Sequence, residues 1–182
     1  MLDQLKRSRS KSMFQPCQGL PRPNRLNGHA EDRGRACTID GYDIAFDVWS
    51  QTNACAASDL VRIQGRQAWG VLYEIPDECI RGERTDQQKT LTKIEGPRYH
   101  ETVIRVRNSE GEEVNAVTFV VREADRRTGL ATSAAYVSWI VYGLRDHGVP
   151  EEYITHVLEA AIENNERARE RAASENKIIK TL

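Results

Sequence analysis

Two kinds of hydrophobic periodicity, used one after the other, most constrain what this chain can fold into. Up to residue 122 the apolar residues tend to alternate with polar ones, and from residue 132 they recur at helical spacing. Strands first and helices last predict an α+β domain. A first strand is expected over residues 38–49, where Ile39, Tyr42, Ile44, Phe46 and Val48 largely alternate with polar neighbours. Gly65 and Arg66 read as a break between two further strands over residues 60–64 and 67–75. The run Ala68-Trp69-Gly70-Val71-Leu72-Tyr73 is nearly continuous apolar, as in a strand covered on both faces. Strands over residues 99–107 and 114–122 flank Asn108-Ser109-Glu110-Gly111, which is hairpin chemistry.

Residues 76–94 are polar and charged and are expected to hold a helix with a loop around Gly82. The helical period over residues 132–147 rests on Ala135, Tyr136, Trp139, Ile140 and Leu144, and Gly148 stands where a left-handed cap would stop it. Pro150 suits the first turn of a second helix, with Glu151 and Glu152 near the positive end of its dipole. Tyr153, Ile154, Val157, Leu158, Ala161 and Ile162 give that helix an apolar stripe. Beyond residue 164 its charged continuation lacks sustained heptad positions, so it reads as a solvated helix fraying by Ser174.

At 182 residues the chain has room for one domain plus tails. The expected division is a disordered basic tail over residues 1–13, a folded unit over residues 14–165 and a charged helical tail over residues 166–182. The longest apolar stretch is far shorter than the roughly 18 residues of a membrane span, so no membrane is expected. Net charge is −1, but it is unevenly spread. Residues 1–35, with Lys6, Arg7, Arg9 and Lys11 among serines, carry eight basic against three acidic side chains, while residues 36–150 carry thirteen against seventeen. A mildly acidic body disfavours nucleic acid, whose affinity comes from phosphate neutralisation. The basic head has no apolar core of a secretory signal. Cys17, Cys37, Cys55 and Cys79 form no C-x-x-C pair and read as reduced thiols of a cytoplasmic protein. His29, His100, His147 and His156 form no short ligand pair, so no metal is expected.

Common catalytic signatures are missing: no G-x-S-x-G, no H-E-x-x-H, no Gly-rich loop followed by Lys, no G-x-G. One carboxylate stands out. Ile94-Glu95-Gly96-Pro97 puts Glu95 at the boundary between the charged stretch and a strand, in a turn with apolar flanks. Such a group serves as a general acid and base when its surroundings tune it to the working pH, although a Glu before Gly-Pro is ordinarily a solvated turn residue.

The ordered motifs sharpen this reading. Gly34-Arg35-Ala36 with Gly41-Tyr42-Asp43-Ile44-Ala45-Phe46, then Trp69-Gly70-Val71-Leu72-Tyr73, then Glu95-Gly96 with Tyr99, then Ser133 with Tyr136, and Gly148-Val149-Pro150 with Tyr153 follow one another along residues 14 to 158. In that order they resemble the gamma-glutamylcyclotransferase-like superfamily. The resemblance implies a small mixed β-barrel with flanking helices, acting on a small-molecule gamma-glutamyl substrate as a monomer or homodimer, in the setting of glutathione metabolism. It also implies release of 5-oxoproline without a cofactor, with Glu95 as the acid and base and Tyr136 at the substrate pocket.

The family's substrate loop, Y-G-S-N-L, aligns with Pro16-Cys17-Gln18-Gly19-Leu20 when Phe14 is placed on the aromatic two residues before it. Only Leu20 agrees; Pro16 has no amide hydrogen to offer a substrate oxygen and Cys17 replaces a glycine. Gln15, Pro16, Cys17, Gln18, Gly19 and Leu20 are nonetheless the expected substrate-binding segment. Three explanations stay open: an altered substrate, an inactive relative that binds without catalysis, or a corrupted reading of the first 30 residues. Trp69 reads as core and Tyr73 as core or pocket wall. Arg98 reads as a partner for a substrate carboxylate or as half of a surface ion pair.

Overall fold

The computed structural model describes residues 10–15, 34–81 and 90–179. Five strands, β1 (Ser10–Gln15), β2 (Arg35–Ser50), β3 (Cys55–Pro76), β4 (Tyr99–Asn108) and β5 (Glu113–Val121), close into a barrel in the order β1-β3-β2-β4-β5. All neighbours are antiparallel except β1 and β5, which run parallel through Met13 and Val117. Four α-helices and a 3-10 turn (Glu123–Asp125) complete the described structure: α1 (Asp77–Ile80), α2 (Leu91–Glu95), α3 (Ala134–Asp146) and α4 (Glu151–Ile179).

The barrel corrects two expectations. Ser10 to Met13 belong to β1 and not to a disordered tail: Met13 and Phe14 are buried, and the strand pairs with β3 from Ser10 opposite Pro76 to Gln15 opposite Val71. With only two apolar residues side by side, Ser-Lys-Ser-Met-Phe-Gln shows no alternation to read. Residues 60–64 and 67–75 are likewise parts of one strand. Gly65 takes φ +79 inside β3, and Gly41 takes φ +78 in β2 where the pairing shifts between Asp40 and Tyr42. Two left-handed glycines at one level of a long hairpin make a bend, the use of glycine at bulges, and not a turn. The number of strands agrees with the expectation only because one was missed and one divided.

Past the bend, residues 55–60 are buried throughout. The segment before α3 covers them: the Ala56 amide donates to the Ala131 carbonyl at 2.8 Å, and the Thr132 hydroxyl donates to the Ala56 carbonyl at 2.8 Å. Ser133 caps α3 by accepting the Tyr136 amide. At the other end Gly148, φ +70, lets its amide reach the Arg145 carbonyl and that of Val149 reach Leu144, so both orphan carbonyls are satisfied. The buried stripes of α3 and α4, with Ile140, Leu144, Ile154 and Val157 nearly inaccessible, close the main core over Phe46, Leu60 and Ile104.

α4 does not fray at Ser174 but is helical to Ile179. Its second half has partners the sequence did not reveal. Asn165 accepts the Thr132 amide and donates to its carbonyl, Asn164 donates to Leu130, and Arg171 donates to Thr128. No described helix is long and apolar enough to cross a membrane.

Gly34 sits where β2 begins, and a methyl group there would lie 2.4 Å from a Val71 methyl and 2.5 Å from the Tyr73 ring. Both neighbours are buried. Gly34→Ala is therefore expected to lower stability by about 2 kcal/mol through overpacking, measured as a shift in the urea midpoint at unchanged slope.

Candidate functional site

Glu95 is the last residue of α2, half-buried, and Gly96 turns the chain with φ +76. A carboxylate at a helix C-terminus opposes the helix dipole, so helix stability does not account for it. Three residues on, the Tyr99 amide donates to the Gly96 carbonyl at 3.3 Å as β4 begins. Tyr99 pairs with Val121, the last residue of β5. Because β1 runs parallel to β5, Gln15 ends β1 at this same end of the barrel. β1 thus ends at the level of Glu95 and Tyr99. Pro16, Cys17, Gln18, Gly19 and Leu20 themselves lie outside the described residues.

Tyr136 reaches the same end from α3. It is buried, and its hydroxyl accepts the Ser58 amide at 3.1 Å and meets the Ser58 hydroxyl at 3.1 Å. One S-x-x-Y motif therefore does two jobs: Ser133 caps the helix with the Tyr136 amide while the Tyr136 ring is carried to β3. Burial, then the negative charge of Glu95, pushes the Tyr99 phenol above the usual tyrosine range, with Tyr136, Asp59 and Asp47 adding to it. Tyr99 accordingly stays a neutral hydroxyl, a donor available to the carboxylate beside it. The structure gathers Glu95, Tyr99 and Tyr136 at one end of the barrel.

Other predicted residues go elsewhere. Tyr73 packs with Met13, Val71, Ile75, Ile80 and Leu91 in a second, smaller cluster, and its hydroxyl faces His147 Nε2 at 3.4 Å. Trp69 packs partly buried against the main core. Arg98 donates from Nη1 to the Trp49 carbonyl at 2.9 Å, tying the turn to the end of β2. Cys37, Cys55 and Cys79 are buried, and burial pushes the Cys37 thiol up to about 12, which keeps it unreactive. Among the described residues no group of three or more His, Cys, Asp or Glu is placed to hold a metal ion.

Sequence reasoning missed three residues here. Asp59, on the buried stretch of β3, is 2% exposed and meets Arg126, which follows a single 3-10 turn at Glu123–Asp125. Arg126 also binds Asp47 of β2 at 2.8 Å. Burial outweighs the Arg126 charge and raises the Asp59 carboxyl to about 6. The available signal was Asp59 itself, one charge inside Cys55-Ala56-Ala57-Ser58-Asp59-Leu60, since a charge is rarely buried without a partner.

The sequence profile of the AIG2-like family matches residues 67–157, half of the chain. The chain belongs to the AIG2-like family. The match runs from the Trp-Gly-Val strand through Glu95, Tyr99 and Tyr136 to the start of α4. Among solved structures, a gamma-glutamyl cyclotransferase superposes with TM-score 0.63 at 17% identity over 82% of this chain and 86% of its own. YkqA from Bacillus subtilis gives 0.65 at 17% identity over 84% of this chain, which spans 54% of that protein. A yeast gamma-glutamyl cyclotransferase specific to glutathione gives 0.55 at 12% identity, covering 85% and 96% of the two chains. No curated protein sequence matches. At these identities the likeness concerns the fold, which is gamma-glutamylcyclotransferase-like: a closed mixed barrel with flanking helices.

Proposed function

We propose that this AIG2-like protein releases 5-oxoproline from a gamma-glutamyl peptide or amine, with Glu95 as the single acid and base. The observation that carries the reading is the placement of Glu95 beside Tyr99 and near Tyr136, at the end of the barrel where β1 ends at Gln15. The substrate brings its own nucleophile. Its α-amine attacks its δ-carbonyl carbon, closes a five-membered ring, and expels the peptide or amine as the carbon–nitrogen bond breaks. The proton lost by the attacking amine is the one the leaving amine needs, so one carboxylate that accepts and returns it completes the balance. Holding the substrate folded back supplies the rest, since proximity alone removes several kcal/mol of a barrier, about 7 or more in well-oriented cases.

The Tyr99 hydroxyl, kept neutral by its surroundings, orients the Glu95 carboxylate by donating to it. Tyr136 walls the substrate side and its hydroxyl holds Ser58 of β3 in place. In this reading the protein is cytoplasmic, works on a free small molecule and requires no cofactor. The test is a panel of gamma-glutamyl dipeptides, gamma-glutamylamines and glutathione, scored for 5-oxoproline and free amine in equal amounts. Release by the wild-type protein supports the reading. A panel that yields nothing above the buffer rate favours a relative that binds small molecules on this fold without turning them over.

A further inference from the structure

Asp59 divides its carboxylate between two partners. Oδ1 accepts the Val121 amide at 3.3 Å, and Val121 is the register partner of Tyr99. Oδ2 lies 2.7 Å from Nη2 of Arg126, a charge contact that is not aligned as a hydrogen bond. The same nitrogen reaches the Leu60 carbonyl at 3.2 Å, Nη1 donates to Asp47 at 2.8 Å, and Glu123 approaches Nε at 3.2 Å from solvent. The Arg127 amide binds the Asp47 carbonyl at 2.8 Å, which locks the backbone beside the ion contacts. One guanidinium therefore joins β2, β3 and the segment after β5 at the end of the barrel that holds Glu95.

A buried ion cluster is a poor device for stability alone, because apolar side chains of similar volume do as well or better. This cluster lies behind the site: the groups acting on Tyr99 are Glu95 from α2, Tyr136 from α3, Asp59 from β3 and Asp47 from β2. We propose that Asp47, Arg126 and Asp59 form a positioning unit that holds Tyr99 against Glu95. The proposal rests on the reading of Glu95 as the proton-transfer group, and none of the three side chains touches substrate. They act through the Val121 backbone and the field at Tyr99. The Asp59 carboxyl, raised to about 6, takes up a proton just below neutrality, which removes one of the three carboxylates facing Arg126. Tyr99 is then released from part of its constraint.

The test uses the full chain and Asp59→Asn, whose amide oxygen can still accept the Val121 amide. Tyrosine rings are isotope-labelled, and the Tyr99 nuclear magnetic resonance signal is assigned as the one lost in Tyr99→Phe. In wild type this signal is expected to shift with a midpoint near 6. In Asp59→Asn it should start displaced and lose that midpoint, while the signal of exposed Tyr142 stays put. In 5-oxoproline release the same variant should lose about tenfold in kcat, keep KM within about twofold, and lose the inflection near the Asp59 titration. If Asp59→Asn does not fold, Asp47→Asn at the cluster's more exposed edge takes its place, with a displaced Tyr99 signal expected. A folded variant whose Tyr99 signal and midpoint match wild type overturns the proposal. If wild type releases no 5-oxoproline, the proposed function fails while the Tyr99 titration still decides whether the unit exists.

Discussion

Glu95→Gln should lower kcat/KM for 5-oxoproline release by at least about a hundredfold, the lower edge of what a positioned acid and base contributes, with KM nearly unchanged. Gln preserves the length and shape of the side chain and its capacity to accept from the Tyr99 hydroxyl, so substrate binding survives. What it removes is the ability to take a proton from the attacking amine and return it to the leaving one. A hundredfold loss is about 2.7 kcal/mol of transition-state stabilisation. Glu95→Asp keeps the chemistry but withdraws the carboxylate by one methylene, and is expected to fall between the two because the reacting groups tolerate little displacement. Steady-state kinetics of the three proteins, matched by circular dichroism, give the comparison. Glu95 ends α2 at Gly96, and the residue of that helix buried in the core is Leu91.

The second large effect concerns stability against pH. The Asp59 carboxyl, ordinarily near 3.8, is raised to about 6 by burial that the Arg126 charge only partly offsets. Between those values the folded protein binds more protons at this site than the unfolded chain does. Its contribution is therefore fully present below the unfolded value and is lost as pH rises through the folded one. A shift of this size corresponds to about 3 kcal/mol. Urea unfolding of wild type and Asp59→Asn at about pH 4 and pH 7 should show wild type losing most of that relative to the variant on going up in pH. A parallel pH dependence of the two proteins would mean that Asp59 is ionised in the fold over the whole range.

The α+β class, the α3–α4 hairpin and the β4–β5 hairpin were legible because each rests on local chemistry. Asn108 shows how local: its side-chain oxygen accepts the amides of Glu110 and Glu112, and Gly111 takes φ +83, all within one turn. The Gly-Val-Pro and S-x-x-Y patterns were legible for the same reason, each being a helix terminus written in consecutive residues. What was hidden depends on partners brought together by barrel closure. β1 is a strand because β3 and β5 flank it, and Gly65 bends a strand because Gly41 sits at the same level on its neighbour. Arg171 and Asn165 look like a solvated tail until Thr128 and Thr132 lie beside them. At the candidate site Glu95 and Tyr136 could be named from motifs, whereas Asp59, Asp47 and Arg126 belong to different strands and loops with no shared pattern.

In the proposed reaction a substrate amine, and not water, attacks the gamma-carbonyl under the care of Glu95. The most direct measurement is product analysis in water labelled with heavy oxygen. The expected product is 5-oxoproline free of the label, released together with an equal amount of amine by wild type and lost in Glu95→Gln. Labelled glutamate as the product, or equal 5-oxoproline from both proteins, would contradict it.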